Sequence, residues 1–213
     1  MMVFTMLWIL ALGLIALAYM LGSLPFAVIV SRIMGLADPR TFGSNNPGAT
    51  NVLRSGSKKA AALTLLGDLL KGSVAVWIAQ GLSQHFGLPS LVVALSALAV
   101  FLGHVFPFTL GFKGGKGVAT AIGVLIALQP LLALACALTW IVVAYSTRYS
   151  SLAAILASLL APAYYLLGAG SLWPMDKAIA FSVVALSLLL LWRHQANISR
   201  LMQGKESRIG QKK

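Results

Sequence analysis

Three polar stretches of this 213-residue chain gather the residue types that hold phosphate. The first, Gly43-Ser-Asn-Asn-Pro-Gly-Ala-Thr-Asn-Val-Leu-Arg54, sets small hydrogen-bonding side chains and glycines ahead of one arginine. The second runs from Gly103-His104 to Thr120 and places Lys113 and Lys116 among Gly114, Gly115 and Gly117, where an apolar helix-forming run begins. Glycine exposes backbone amides, a helix N-terminus adds a positive dipole end and lysine adds a full charge, so together they suit an anion. The third carries His194, Asn197 and Arg200 at three-residue intervals, on one face if the last helix continues through them. Plainer readings fit too: a basic loop against lipid headgroups for the second stretch, a solvated helix end with well-placed cations for the third.

Several chemistries are excluded. A P-loop needs glycine five positions before the Gly-Lys pair and Ser or Thr after it; here Leu110 and Gly117 occupy those places. The chain has four Asp and Glu residues in all, too few in its loops for a Mg²⁺ cage, so neither a metal site nor ATP hydrolysis is expected. A His-x-x-x-x-Asp acyltransferase pair is missing, since Thr109 and Ser199 stand five after His104 and His194. The lone cysteine, Cys136, lies in an apolar run and reads as packing.

These stretches must be positioned by something, and composition says what. Apolar residues make up 59% of the chain and charged ones 9%, against about 25% in an ordinary soluble domain. Mean hydropathy is +0.91, and uncharged runs cover 1–31, 72–112, 117–147, 149–175 and 178–192. Most exceed the ~20 residues that cross a bilayer as helix, which predicts a polytopic membrane protein with 1–213 as a single domain. No basic residue precedes Arg32, and the apolar run from Val3 to Val30 is too long for a signal peptide, so it reads as a retained membrane helix interrupted by Gly22-Ser23 and Pro25. Further helices are expected at 60–80, 90–103, 118–128, 131–146, 151–167 and 177–192, with turns at 81–89 and 168–176.

The 117–147 run decides the topology. Its 31 residues span ~46 Å as helix, ample for one crossing and short for two. Two crossings put 14 of the 16 Lys and Arg residues on one side, as the positive-inside bias demands; one crossing would move Arg148 and the basic tail away. The expectation is therefore an all-α integral membrane protein with seven transmembrane helices, N-terminus outside and C-terminus cytoplasmic. A half-length helix near 118–128 would leave the preceding loop dipping into the bilayer to line a cavity. The net charge of +12 is explained by topology and anionic lipid and calls for no nucleic acid.

Taken together, Gly-Ser-x-Asn-x-Gly-Ala-Thr-Asn-Val-x-Arg, Gly-His-x-x-Pro with Phe-Lys-Gly-Gly-Lys-Gly-Val-Ala-Thr, and His-x-x-Asn-Ile resemble the bacterial acyl-phosphate:glycerol-3-phosphate acyltransferases in content and order, over nearly the whole chain. The resemblance implies a multi-pass enzyme of the bacterial inner membrane, with its site facing the cytoplasm. Such an enzyme uses no cofactor and joins a long-chain acyl phosphate to the 1-hydroxyl of glycerol 3-phosphate. The products are lysophosphatidate and phosphate, an early step of phospholipid synthesis. Its partners would be these two substrates and membrane lipid, and a monomer is compatible with it. Carried over residue by residue, Ser44, Arg54, Lys116 and His194 would conduct the transfer. Asn45, Asn46, Gly48, Thr50, Asn51, His104, Lys113, Gly114, Gly115, Gly117, Ser151 and Asn197 would contact substrate. Within that set, Ser44, Asn45 and 114–117 would hold the acyl phosphate, while Arg54, Lys116, His194 and Asn197 would hold glycerol 3-phosphate. Where relatives often carry a second serine after Ser151, this chain has Ala153-Ala154.

Acyl transfer to an alcohol needs a proton acceptor, and none of the three blocks contains an aspartate. The reading is substrate assistance: the departing phosphate, with a second pKa near ~6, takes the proton. Asp68 and Lys71, three apart inside a helix, are expected to pair structurally, His104 to shape its loop, His85 to be inert and the five tryptophans to form an interfacial belt. A transporter of phosphate or an organic phosphate is the alternative, weakened by the scarcity of polar residues toward the far side.

Overall fold

The computed structural model describes residues 2–210, and these form ten α-helices. They are α1 (Met2–Gly22), α2 (Phe26–Ile33), α3 (Ala49–Leu53), α4 (Lys58–Phe86), α5 (Ser90–Val105), α6 (Val118–Leu128), α7 (Pro130–Thr147), α8 (Ser150–Gly168), α9 (Lys177–Arg193) and α10 (Gln195–Met202). A single 3-10 turn, Phe108–Leu110, follows α5. Among them α1, α4, α5, α7 and α8 contain apolar stretches long enough to cross a membrane, and α9 with α10 adds a sixth if the bent pair counts as one. The half-length helix expected at 118–128 is present as α6; its 11 residues rise only ~17 Å.

Four expectations about the elements are corrected. The first apolar run is two helices, because Ser23, Leu24 and Pro25 break it; proline has no N–H, and at the break the Leu24 carbonyl accepts from the Phe26 amide at 3.1 Å and from Lys71 Nζ at 2.8 Å. The turn expected at 81–89 is helical to Phe86, and α4 ends only at Gly87, whose φ of +66° suits a left-handed C-cap. The polar 32–59 stretch contains α3. Trp173 leaves the tryptophan belt: it is buried against Tyr165, ring centroids 5.9 Å apart, and its indole N–H donates to the Tyr165 carbonyl at 3.1 Å.

Small residues let the helices that carry the site approach closely, as membrane packing favours. A side chain on Gly72 would overlap the Thr120 carbonyl, and one on Gly123 the Leu69 carbonyl, so α4 and α6 touch backbone to backbone. Ser73 Oγ donates to Gly123 O at 2.8 Å and Gln80 Nε2 to Ala127 O at 3.0 Å across the same seam. Gly22 and Gly103 do likewise for α1 and α5, meeting the Val100 and Tyr19 carbonyls. The two glycine-matched seams fix the start of α6 relative to the break after α1. The C-terminal tail touches both ends of the 117–147 stretch: Asn197 meets Lys116, and Ile209 meets Arg148.

Candidate active site

The three polar stretches meet at one end of the bundle. Asn51, buried in α3, is spent on its own loop. Its amide donates to Pro39 O at 2.6 Å and Phe42 O at 3.1 Å, while Oδ1 accepts from the Ser44 amide at 3.0 Å. Asn51 therefore shapes the loop and has little left to offer a substrate. The loop so held presents Ser44, Asn45 and Thr50 to solvent, with Asn45 in the left-handed region at φ +53°; Asn46 and Gly48 are half-buried beside them. Arg54 closes the stretch. One of its nitrogens lies 3.3 Å from Asn51 Oδ1 and another donates to Ser207 Oγ at 2.7 Å, which ties the first stretch to the tail.

In the second stretch the glycines do something other than the sequence suggested. The amides of Gly114 and Gly115 donate to the Val105 and His104 carbonyls at 3.0 and 3.1 Å, capping the end of α5. The exposed anion donors are displaced onto the next residues. Gly117, at φ +89°, turns the chain into α6 with no side-chain cap; the Ala121 amide donates to the Gly117 carbonyl at 2.8 Å, while those of Val118, Ala119 and Thr120 ahead of it have no acceptor among the described residues. Gly117 is required there twice over, by its left-handed φ and because a side chain would overlap the Phe101 ring. Lys113 is exposed. Lys116 is half-buried and aims its Nζ at Asn197 Oδ1, 2.6 Å away.

The third stretch does not continue the last helix straight. The chain bends 55° at His194, and Asn197 and Arg200 belong to α10. The imidazole of His194 is buried, with Nδ1 2.8 Å from the Leu190 carbonyl; that carbonyl only accepts, so Nδ1 carries hydrogen and Nε2 is the nitrogen left for a ligand. Asn197 is the joint of the site. It accepts from Lys116 and donates to Glu206 Oε1 at 2.5 Å; Ser151 donates to the same oxygen at 2.8 Å and Arg200 Nε to Oε2 at 2.7 Å. Burial alone would raise the Glu206 carboxyl, but hydrogen bonds from Ser151, Arg200 and Asn197 outweigh it, and the group stays below its ordinary value. Lys116 moves the other way for a lysine. Burial lowers it, Glu206 opposes, and Arg200, Arg54 and Arg193 add to the lowering, which leaves it at about 8.

One participant, Arg193, escaped the sequence reading. Arg193 Nη2 donates to the carbonyls of Gly115 at 3.1 Å and Gly114 at 3.4 Å, gripping the glycine loop from the α9 side. Glu206 ties α8 and α10 together; its signal was its rarity, one of four acidic residues in the chain. Behind the loop, Asp68 pairs with Lys71 at 2.8 Å, as expected, and His104 Nδ1 stands 3.4 Å from the same carboxylate oxygen. A narrow apolar pocket opens beside Val118, between α6 and Cys136, Trp140, Ala157 and Leu186 of the neighbouring helices.

The comparisons with known proteins point one way. Residues 12–204 match the family model described as glycerol-3-phosphate acyltransferase. The chain is 61% identical to the glycerol-3-phosphate acyltransferase of Bordetella avium (strain 197N), over 94% of its own length and 93% of the relative's. It is 60% identical to that of Bordetella petrii, over 96% and 95%. Two crystal structures of PlsY (YgiH), an integral membrane glycerol 3-phosphate acyltransferase, are similar over 94% of this chain. The glycerol 3-phosphate form superposes with a TM-score of 0.85 at 40% identity, covering 96% of that chain; the lysophosphatidic acid form gives 0.83 at 39%, covering 95%.

Proposed function

Since the chain belongs to the glycerol-3-phosphate acyltransferase family and is a multi-pass membrane enzyme of that activity, we propose that its donor is a long-chain acyl phosphate and that the three convergent stretches hold two phosphates side by side. The observation that carries this is the contact of Lys116 with Asn197, which brings the lysine of the glycine loop onto the histidine-asparagine face within reach of Arg54 and Arg200. A cluster of three arginines and one lysine answered by a single carboxylate leaves positive charge for a pair of anions.

The donor's phosphate would lie at the unsatisfied amides that open α6, with Ser44, Asn45 and Lys113 lining its approach and Lys116 beside it. Its acyl chain would run along α6 into the apolar cavity beside Val118. Glycerol 3-phosphate would place its phosphate among Arg54, His194 and Arg200, with Ser151 and Asn197 at its hydroxyls. The 1-hydroxyl oxygen then attacks the acyl carbonyl carbon, the bond from that carbon to the phosphate oxygen breaks, and the departing phosphate takes the hydroxyl proton. Lys116 and the α6 amides stabilise the charge that develops. Glu206 is a poor base: its pKa lies below the usual range and three donors saturate its oxygens. The related acyltransferases make the transporter alternative unnecessary.

The same reading places seven crossings in the bacterial inner membrane, α6 being the half-length one, with the N-terminus outside and the site facing the cytoplasm. The common contact of Lys116 and Arg148 with the tail supports it, because α6 must leave the site and α7 return to it. The function is tested with purified protein in lipid, offered glycerol 3-phosphate with palmitoyl phosphate, palmitoyl-CoA or no donor. Lysophosphatidate and phosphate in equal amounts from the acyl phosphate alone are expected; equal product from the thioester would refute the donor assignment.

A further inference from the structure

Asp68, Lys71 and His104 are 3%, 5% and 7% exposed and sit in helices that cross the bilayer, where charge is expensive to keep. Lys71 accounts for itself: its Nζ is 2.8 Å from Asp68 Oδ1 and donates to the Leu24 carbonyl at 2.8 Å, closing the break after α1. A two-membered pair would have done that. The third member is not needed for charge balance, yet His104 Nδ1 stands 3.4 Å from the same carboxylate oxygen. With Nδ1 turned to a carboxylate, Nε2 points the other way, and there it abuts Gly115: a Cβ on that glycine would overlap Nε2. The His104 carbonyl meanwhile accepts from the Gly115 amide at 3.1 Å. A small pocket joins the break to the loop, lined by Pro25, Asp68, Lys71, His104, Gly114 and Gly115, and Pro47 of the first stretch borders it.

Resting on the reading that this loop serves the donor's phosphate, we propose that Asp68 is a positioning residue for acyl transfer. By holding His104 at Nδ1 it sets the ring against Gly115, and so fixes Lys116 and the first amides of α6 where the acyl phosphate must lie. Arg193 grips the carbonyl side of the same two glycines, so the loop is held between an imidazole from α5 and a guanidinium from α9. The glycerol 3-phosphate subsite, built from Arg54 and α10, meets this chain of contacts at one point, where Lys116 touches Asn197.

Breaking a buried ion pair by removing one partner leaves an uncompensated charge, whereas replacing both partners with apolar residues of similar volume is often neutral. The test therefore uses the paired variant Asp68→Leu/Lys71→Met in the full-length protein in lipid, with palmitoyl phosphate as donor. A rise of about tenfold in KM for palmitoyl phosphate is expected, with a rise of no more than about two- to threefold in KM for glycerol 3-phosphate through the Lys116–Asn197 contact and kcat within a few-fold. Asp68→Asn/Lys71→Met, which keeps an acceptor for Nδ1, should restore most of the affinity. Unaltered KM for the donor, or an equal rise for both substrates, would overturn the assignment. Should the Asp68 variants fail to fold, His104→Asn leaves the ion pair intact but withdraws the ring from Gly115. The same selective rise is expected there, and its absence overturns the proposal equally. Failure of the donor reading itself shows separately, as a wild-type protein that makes no lysophosphatidate from palmitoyl phosphate.

Discussion

Raising the pH from 7 to 9 should discharge Lys116 and, with it, most of the enzyme's capacity to capture its substrates. With the ammonium held at about 8, it is about nine-tenths charged at pH 7 and a little under one-tenth at pH 9, so kcat/KM should fall roughly tenfold between them. The carboxylate beside it does not titrate in that window, because Glu206 lies below the usual carboxylate range. Unfolding at this residue does not mimic the effect. A lysine whose folded pKa is depressed binds fewer protons than the unfolded chain between about 8 and 10.5, so its contribution to stability grows as pH rises through that range. The assay is initial-rate kcat/KM for glycerol 3-phosphate at saturating palmitoyl phosphate from pH 6.5 to 9.5, with wild-type and Lys116→Arg protein in the same lipid. The arginine variant starts lower, because a planar guanidinium fits the Asn197 oxygen differently, but its profile should be flat on the alkaline side. A flat wild-type profile, or an alkaline limb retained by Lys116→Arg, would refute the reasoning.

Other substitutions probe the supports of the site. Gly117→Ala imposes a left-handed φ on alanine and drives its Cβ into Phe101, a strain of ~1–3 kcal/mol, and should cut kcat at least tenfold with the melting temperature lowered, read by turnover and thermal shift. Gly72→Leu wedges α4 from α6 and should cost ~1–3 kcal/mol of stability and displace Lys116, measured as denaturation midpoint and KM for both substrates. Glu206→Gln loses the charge that answers Arg200 and should raise KM for glycerol 3-phosphate several-fold without abolishing turnover of bound substrate; single-turnover rates at saturation check it. Ala157→Phe intrudes on the apolar cavity and should shift donor preference toward shorter acyl chains, measured with a series of acyl phosphates.

Much of this was legible in the sequence, for a physical reason. A bilayer demands long uncharged helices, so hydropathy locates them, and the basic residues mark the ends of the runs that meet at the site. The convergence of the three polar stretches followed from that topology. The missed features are those in which one residue answers another far along the chain. Pro25 reads as a tolerated kink until Lys71, 47 residues on, is seen to take the Leu24 carbonyl. Gly114 and Gly115 read as anion donors, yet α5 has already claimed their amides, and the donors move to α6. Asn51 carries the right chemistry for a ligand and spends it on Pro39, Phe42 and Ser44. Arg54 finds Ser207 across 153 residues, a contact no local pattern encodes.

The central claim is that an acyl group leaves its phosphate at the start of α6 for the hydroxyl of glycerol 3-phosphate. The measurement that tests it most directly follows palmitoyl phosphate labelled with ¹⁸O at the oxygen bridging carbon and phosphorus through a single turnover. The label should appear in the released inorganic phosphate, with none in lysophosphatidate, and the Lys116→Ala protein should release little of either. Label retained in lysophosphatidate or in free palmitate would mean cleavage on the phosphorus side of the bridge and would contradict the account.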